Sequence, residues 1–266
     1  MSLTIHQRRY DGGPRPVLAI HCSLAHSGAW RGVARALSEK ATFVAFDMPC
    51  HGKSGDWTPD MGDLHDVTTA EALKLLSEPM DVVGHSFGAT VALRLACERP
   101  DLVRSVVSFE SVWFAAAAKD EPDWIAAYAQ RNETFEQAMD KGDKMGAARA
   151  FNRGWGDGSA WNDIPLPTRQ YMADRIHFVR GSTPFVVHDA PGLLDSGKIE
   201  RLATPVLLMQ GASTDDTIDA VNAALHRRLR NSQRRTLPDT GHMAPITHPS
   251  ETAAAISEFW SGLEVT

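Results

Sequence analysis

Two periodicities alternate along the chain. Residues 16–21, 42–46, 81–83, 102–109 and 205–209 are short, nearly unbroken apolar runs, the pattern of strands buried on both faces. Between them, apolar residues recur every three or four positions: Trp30, Val33, Ala34 and Leu37, then Val67, Ala70, Leu73 and Leu76, and later Ile218, Val221, Leu225 and Leu229. That spacing is the stripe of an amphipathic helix. Residues 2–10 alternate loosely and predict a first strand, residues 235–237 a short late one, and Ala253, Ile256 and Phe259 one face of a final helix. Ser27 and Asp66 are placed to cap the first two helices, and Arg99 with Pro100 ends the third. Strands alternating with helices of this size predict an α/β fold with a doubly wound, mostly parallel sheet. Ligands bind such sheets at the carboxyl ends of the strands.

The alternation breaks after residue 112. Residues 113–198 carry no buried-strand pattern; helical patches sit among Gly- and Pro-rich turns. Trp113, Trp124, Trp155 and Trp161 fall here, four of the chain's seven tryptophans. The expected organisation is therefore an α/β core over 1–112 and 199–266, interrupted by a small helical cap over 113–198. No repeat or low-complexity segment interrupts it.

Composition narrows the class. The 266 residues are 43% hydrophobic and 23% charged, as in an ordinary globular protein. A net charge of -6 offers no footprint for nucleic acid or an anionic membrane. No apolar run approaches a membrane span, and none follows the charges of the N-terminus as a signal peptide would require. Three cysteines, Cys22, Cys50 and Cys97, are too few and too odd for a disulfide framework. They fit a reducing cytoplasm, with Cys22 and Cys50 as small apolar fillers. Asp63, His65 and Asp66 read as a solvated loop and cap, and no metal-ligand or cofactor-binding spacing occurs.

The stretch richest in chemistry is Gly84-His85-Ser86-Phe87-Gly88, between an apolar strand and a small-residue helix. This is the setting of a nucleophile elbow, with Ser86 lifted off the sheet and the next amides at a helix N-terminus. A serine hydroxyl is a weak nucleophile. It needs a base within hydrogen-bonding reach, and the base needs a third group to fix its tautomer. Among 11 histidines, His242 stands out, after a strand, a turn and Gly241; His248 is a lesser competitor. His21, at a strand end, is expected to brace the following loop, His51 to pack in its turn, and His85 to be structural. Glu110 ends an apolar strand, where a carboxylate should have a partner. Asp215 and Asp216 stand where a helix would start, a place acids occupy for capping alone.

The elbow, Asp47-x-Pro49-x-His51-Gly52-x-Ser54 and the late Gly241-His242-Met243-Ala244-Pro245 together resemble the α/β-hydrolase superfamily. The likeness covers essentially the whole chain and is far more specific for fold than for substrate. It implies Ser86 as nucleophile, His242 as base, and an oxyanion hole from the amides of Phe87 and of Ser23 or Leu24. Cys22 departs from the glycine usual after the strand-end histidine. The superfamily places its acid in either of two positions. One falls here at Thr214, with Asp215 and Asp216 just beyond; the other falls at Glu110, which is the stronger candidate.

The expected function is a serine hydrolase cleaving a small carboxylic ester, without cofactor or metal. Hydrolysis of an enol-lactone or of a carbon–carbon bond in a ring-cleavage product is the alternative. From another class comes a hydrolase-like ligand receptor with little turnover. The substrate is expected to be a small molecule with an apolar acyl or aromatic group, bound by Leu24, Trp113, Trp155 and Trp161. Association into a homo-oligomer is compatible with the sequence.

Overall fold

In the strands, successive apolar residues part to opposite faces of one sheet. A computed structural model describes residues 3–121 and 123–263. Its seven strands are β1 (Gln7–Tyr10), β2 (Arg15–Ile20), β3 (Ala41–Phe46), β4 (Met80–His85), β5 (Val103–Phe109), β6 (Val206–Gly211) and β7 (Ser232–Leu237). They pair in the order β1-β3-β2-β4-β5-β6-β7. Only β1 runs antiparallel, against β3; the other pairs are parallel. Residue 2 of the expected first strand lies outside the described residues, and that strand spans only 7–10.

Val17, Ala19, Val83, Val107 and Met209 face one side, where they meet helices α1 (Arg31–Ala36) and α13 (Pro249–Leu263). Leu18, Ile20, Val82, Val106 and Leu208 face the other. There they meet α2 (Leu64–Leu73), α3 (Phe87–Glu98), α4 (Phe114–Asp120) and α11 (Asp216–Arg228). The five strands β2 to β6 are thus covered on both faces, which is why their sequences read as nearly continuous apolar runs, while β1 and β7 at the sheet edges stay largely exposed. Two capping expectations shift. A turn of 3-10 helix over Ser27–Trp30 precedes α1, with His26 as its cap. Asp63, not Asp66, caps α2, accepting from the amides of His65 and Asp66.

Between β5 and β6 every described helix or strand is helical. It holds α4, α5 (Trp124–Asp140), α6 (Lys144–Trp155), α7 (Leu166–Arg175), α8 (His177–Gly181), α9 (Thr183–Val186) and α10 (Lys198–Arg201). The segment is not uniform. Its two ends, from Trp113 to Ala117 and from Phe185 to Leu202, contribute to the main core. Its middle has a small core of its own, with Phe135, Ala147, Ala148, Ala173 and Ile176 around Leu24. The remaining helix, α12 (Ala244–Thr247), follows β7. No described helix is long and apolar enough to cross a membrane.

Candidate active site

The strand–turn–helix at Ser86 is as tight as its glycines suggest. A Cβ on Gly84 would lie 2.6 Å from the Cα of Ala89, and one on Gly88 would lie 2.5 Å from the His21 carbonyl oxygen. Only glycine allows the helix to start this close to the strands. Ser86 itself takes φ 58° and ψ −118°, a costly conformation for a residue with a side chain. Its neighbours hold it there: its amide donates to Phe109 at 2.9 Å, and its carbonyl accepts from Ala89 at 3.0 Å.

Glu110 follows β5 at φ 47° and is fully buried. Its carboxylate has three donors. Oε1 accepts from the Gly211 amide at 2.8 Å, and Oε2 accepts from the Thr214 hydroxyl at 2.7 Å and from His242 Nδ1 at 2.7 Å. The last bond puts the proton on Nδ1 and leaves Nε2 with a lone pair. The His85 ring, next to Ser86 in sequence, donates from Nε2 to the His242 carbonyl at 2.8 Å. It thereby ties the end of β4 to the loop after β7. Trp155 packs edge-on against His242, with ring centroids 5.0 Å apart, and shares a chamber wall with Ser86. His248 instead contacts its neighbour, Thr247, at 2.8 Å.

The two later acids lie elsewhere. Asp215 caps α11 by accepting from the Thr217 amide at 2.8 Å, and it pairs with Arg131 at 2.9 Å. Asp216 is exposed in the first turn of the same helix. Thr214, the residue at the register of the more usual acid, reaches Glu110 as a donor. Its part was missed in the sequence, although that register was the available signal.

The loop after β2 is held by two imidazoles. His21 Nδ1 donates to the Cys22 carbonyl at 2.7 Å, and its Nε2 accepts from the Met48 amide at 3.0 Å. His51 Nδ1 donates to the Pro49 carbonyl at 2.8 Å, and its Nε2 accepts from the Leu24 amide at 2.9 Å. His51 therefore does more than fill its turn. Leu24 has its amide occupied, while among the described residues the Ser23 amide has no acceptor. A trans peptide points its C=O and N–H in opposite directions. Anchoring the Cys22 carbonyl on His21 therefore aims the Ser23 N–H away from it. Each imidazole must be neutral to accept its amide. Burial pushes His21 down to about 4 and His51 well below the ordinary histidine value. The loop's positive φ falls on Leu24, at 62°, so Cys22 adopts no glycine-like conformation.

Cys22 and Cys50 are buried, and burial pushes their thiols up to about 12 and about 11. His65 is a correction. It is fully buried rather than solvated, stacked on Phe185 at 3.4 Å, with Nε2 2.9 Å from the Thr90 hydroxyl. Asp66 is half exposed and pairs with Arg94 at 2.6 Å. The four residues expected to line the pocket also divide. Leu24 and Trp155 line a cleft of about 760 Å³. Trp113 is wholly buried against Phe185, in the main core where substrate cannot reach it. Trp161 packs on the middle helices beneath Arg169, and neither it nor Trp113 is among the described residues lining the cleft. Phe151, one turn before Trp155 on α6, also lines the cleft and is not singled out in the sequence; its spacing from Trp155 is the available signal. Among the described residues no group of three His, Cys, Asp or Glu is placed to hold a metal.

A serine on a strained turn and an imidazole oriented by a buried carboxylate are the groups that acyl transfer uses. The family model of the alpha/beta hydrolase fold matches residues 15–249, and the chain belongs to this family of enzymes. It is 30% identical to lipase LipV of Mycobacterium tuberculosis, over 96% of this chain and 97% of that one. It is 36% identical to a pimeloyl-[acyl-carrier protein] methyl ester esterase of Nitrosomonas europaea, over 93% and 96% of the two chains. An alpha/beta hydrolase from Sphaerobacter thermophilus shares the fold, with a TM-score of 0.72 at 20% identity over 97% and 96%.

Proposed function

We propose that this enzyme hydrolyses carboxylic esters through an acyl-enzyme on Ser86. The observation that carries the reading is the 2.7 Å bond from His242 Nδ1 to Glu110, which leaves Nε2 as the base. Ser86 Oγ attacks the carbonyl carbon as His242 Nε2 takes its proton. The amides of Phe87 and Ser23 receive the oxyanion. The alcohol departs with the proton from His242, and a water, deprotonated by the same nitrogen, releases the acid and restores Ser86. Glu110 holds the tautomer and balances the imidazolium. The helices between β5 and β6 serve as the cap, with Trp155 over the base. Ester-cleaving relatives with similar chain lengths support the ester over other acyl substrates. The free cysteines suit a cytoplasmic enzyme.

Hydrolysis of p-nitrophenyl acetate tests the reading. Wild type should turn over many times, and Ser86→Ala should lose about 10⁶-fold in kcat with an unchanged circular dichroism spectrum. Undiminished activity in the variant removes Ser86 from the chemistry. Acylation without turnover in wild type makes the protein a receptor instead.

A further inference from the structure

Two very unequal spaces adjoin at Ser23, Phe151 and Trp155. The cleft of about 760 Å³ has the loop from Ser23 to Ala29 as its floor. The second space is a chamber of about 40 Å³, walled by Phe87, Val112, Phe114, Phe135, Val179 and Val186. Among the described residues Ser86 lines the chamber and not the cleft, whereas Ser23, Phe151 and Trp155 line both. Phe151 and Trp155 stand one turn apart on α6, so their side chains share a face and form the partition.

Which part of an ester enters which space follows from the proton. With the oxyanion toward the Ser23 and Phe87 amides, the tetrahedral carbon on Ser86 keeps two other substituents. The one that departs must face His242, which protonates it. Met243, Ile246 and Thr247, directly after His242, line the cleft, and none of them lines the chamber. The alcohol therefore occupies the cleft and the acyl chain the chamber. The chamber, at about 40 Å³, is by far the smaller of the two. The cleft falls within the roughly 300–1,000 Å³ of sites that hold whole small molecules, and Ala25, Ala29, Ile164, Pro165, Met172 and Ile246 give it apolar walls.

We infer that the site selects esters of a short acid with a large apolar alcohol. The inference rests on the ester-hydrolase reading and adds the side of the ester that is read for size.

Two isomeric esters separate the possibilities. Octyl acetate and methyl nonanoate contain the same atoms but place the long chain on opposite sides of the carbonyl. Wild type should favour octyl acetate in kcat/KM by at least about tenfold, since even one misplaced methylene costs about that much. Trp155→Ala, which opens the partition, should bring the ratio toward one by raising methyl nonanoate. Val186→Phe, which shrinks the chamber, should lower p-nitrophenyl propionate relative to the acetate and keeps the test open if the tryptophan variant does not fold. Equal rates on the isomers, a preference for methyl nonanoate, or ratios that neither variant moves overturn the assignment. p-Nitrophenyl acetate with Ser86→Ala as blank tells the two failures apart. Ser86-dependent turnover with the wrong isomer preference removes only the size assignment. No Ser86-dependent turnover on any of these esters removes the hydrolase reading, and this inference with it.

Discussion

The floor of the site and the helices above it are held together by different physics. In the floor, Leu24, Ser86 and Glu110 all take positive φ, and each is fixed by hydrogen bonds: the Leu24 amide donates to His51, the Ser86 amide donates to the Phe109 carbonyl, and Glu110 accepts from Gly211, Thr214 and His242. Above it, the contacts to the core include ion pairs at the surface. Arg131 meets Asp215 with both side chains about half exposed, and Arg227 and Arg228 grip Asp120. Tyr171 adds a polar link, donating to the Ala25 carbonyl and accepting from the Gly52 amide, both at 2.9 Å. Leaving a buried group without its partner costs about 1–3 kcal/mol, while an exposed ion pair contributes about 0–1 kcal/mol. On the proposed function the difference separates two tasks. Groups that react need placement within a fraction of an ångström. Groups that select a substrate tolerate some movement.

The largest effect expected from this contrast lies at Glu110. Glu110→Gln keeps the shape but sets an amide nitrogen among three donors, which favours the wrong imidazole tautomer. The kcat for p-nitrophenyl acetate should fall about 10⁴-fold, and Asp215→Asn should cost less than about tenfold. The opposite ranking transfers the acid to the loop after β6.

Acid should loosen the floor before the surface pairs. Burial holds His21, pushed down to about 4, and His51, His65 and His85, all well below the ordinary value, neutral in the folded chain. The unfolded chain binds those protons near pH 6.5. Their contribution is therefore complete above about pH 6.5 and is lost progressively as the pH falls toward 4. Asp120, hydrogen-bonded by Arg228 and Arg227, is held at about 2 and stays ionised through that window. Urea midpoints should fall steadily from pH 7 to pH 4.5; a flat series contradicts the neutral imidazoles.

The smallest effect belongs to Arg131→Ala, which removes an exposed pair. Melting should report a loss of less than about 1 kcal/mol, with p-nitrophenyl acetate turnover within about twofold. A loss as large as that of Glu110→Gln would erase the distinction between the two regions.

The sequence by itself determined whatever is settled within one strand or one turn. Apolar runs specified the five strands β2 to β6 because burial on both faces leaves few polar positions. Gly84 and Gly88 specified the turn because no larger residue fits where two backbones nearly touch. The sequence also ranked Glu110 above the later acids, from its place at the end of an apolar strand. Only tertiary structure brought Glu110 to His242, residues 132 positions apart, because that contact depends on the order in which β5, β6 and β7 lie side by side. It alone sent Trp113 into the core, buried His65 against Phe185, and occupied the Leu24 amide while leaving that of Ser23 without an acceptor among the described residues. Aromatic and histidine side chains suit a core, a wall or a site equally well. Their roles are set by which distant element packs against them, and local periodicity carries no record of that.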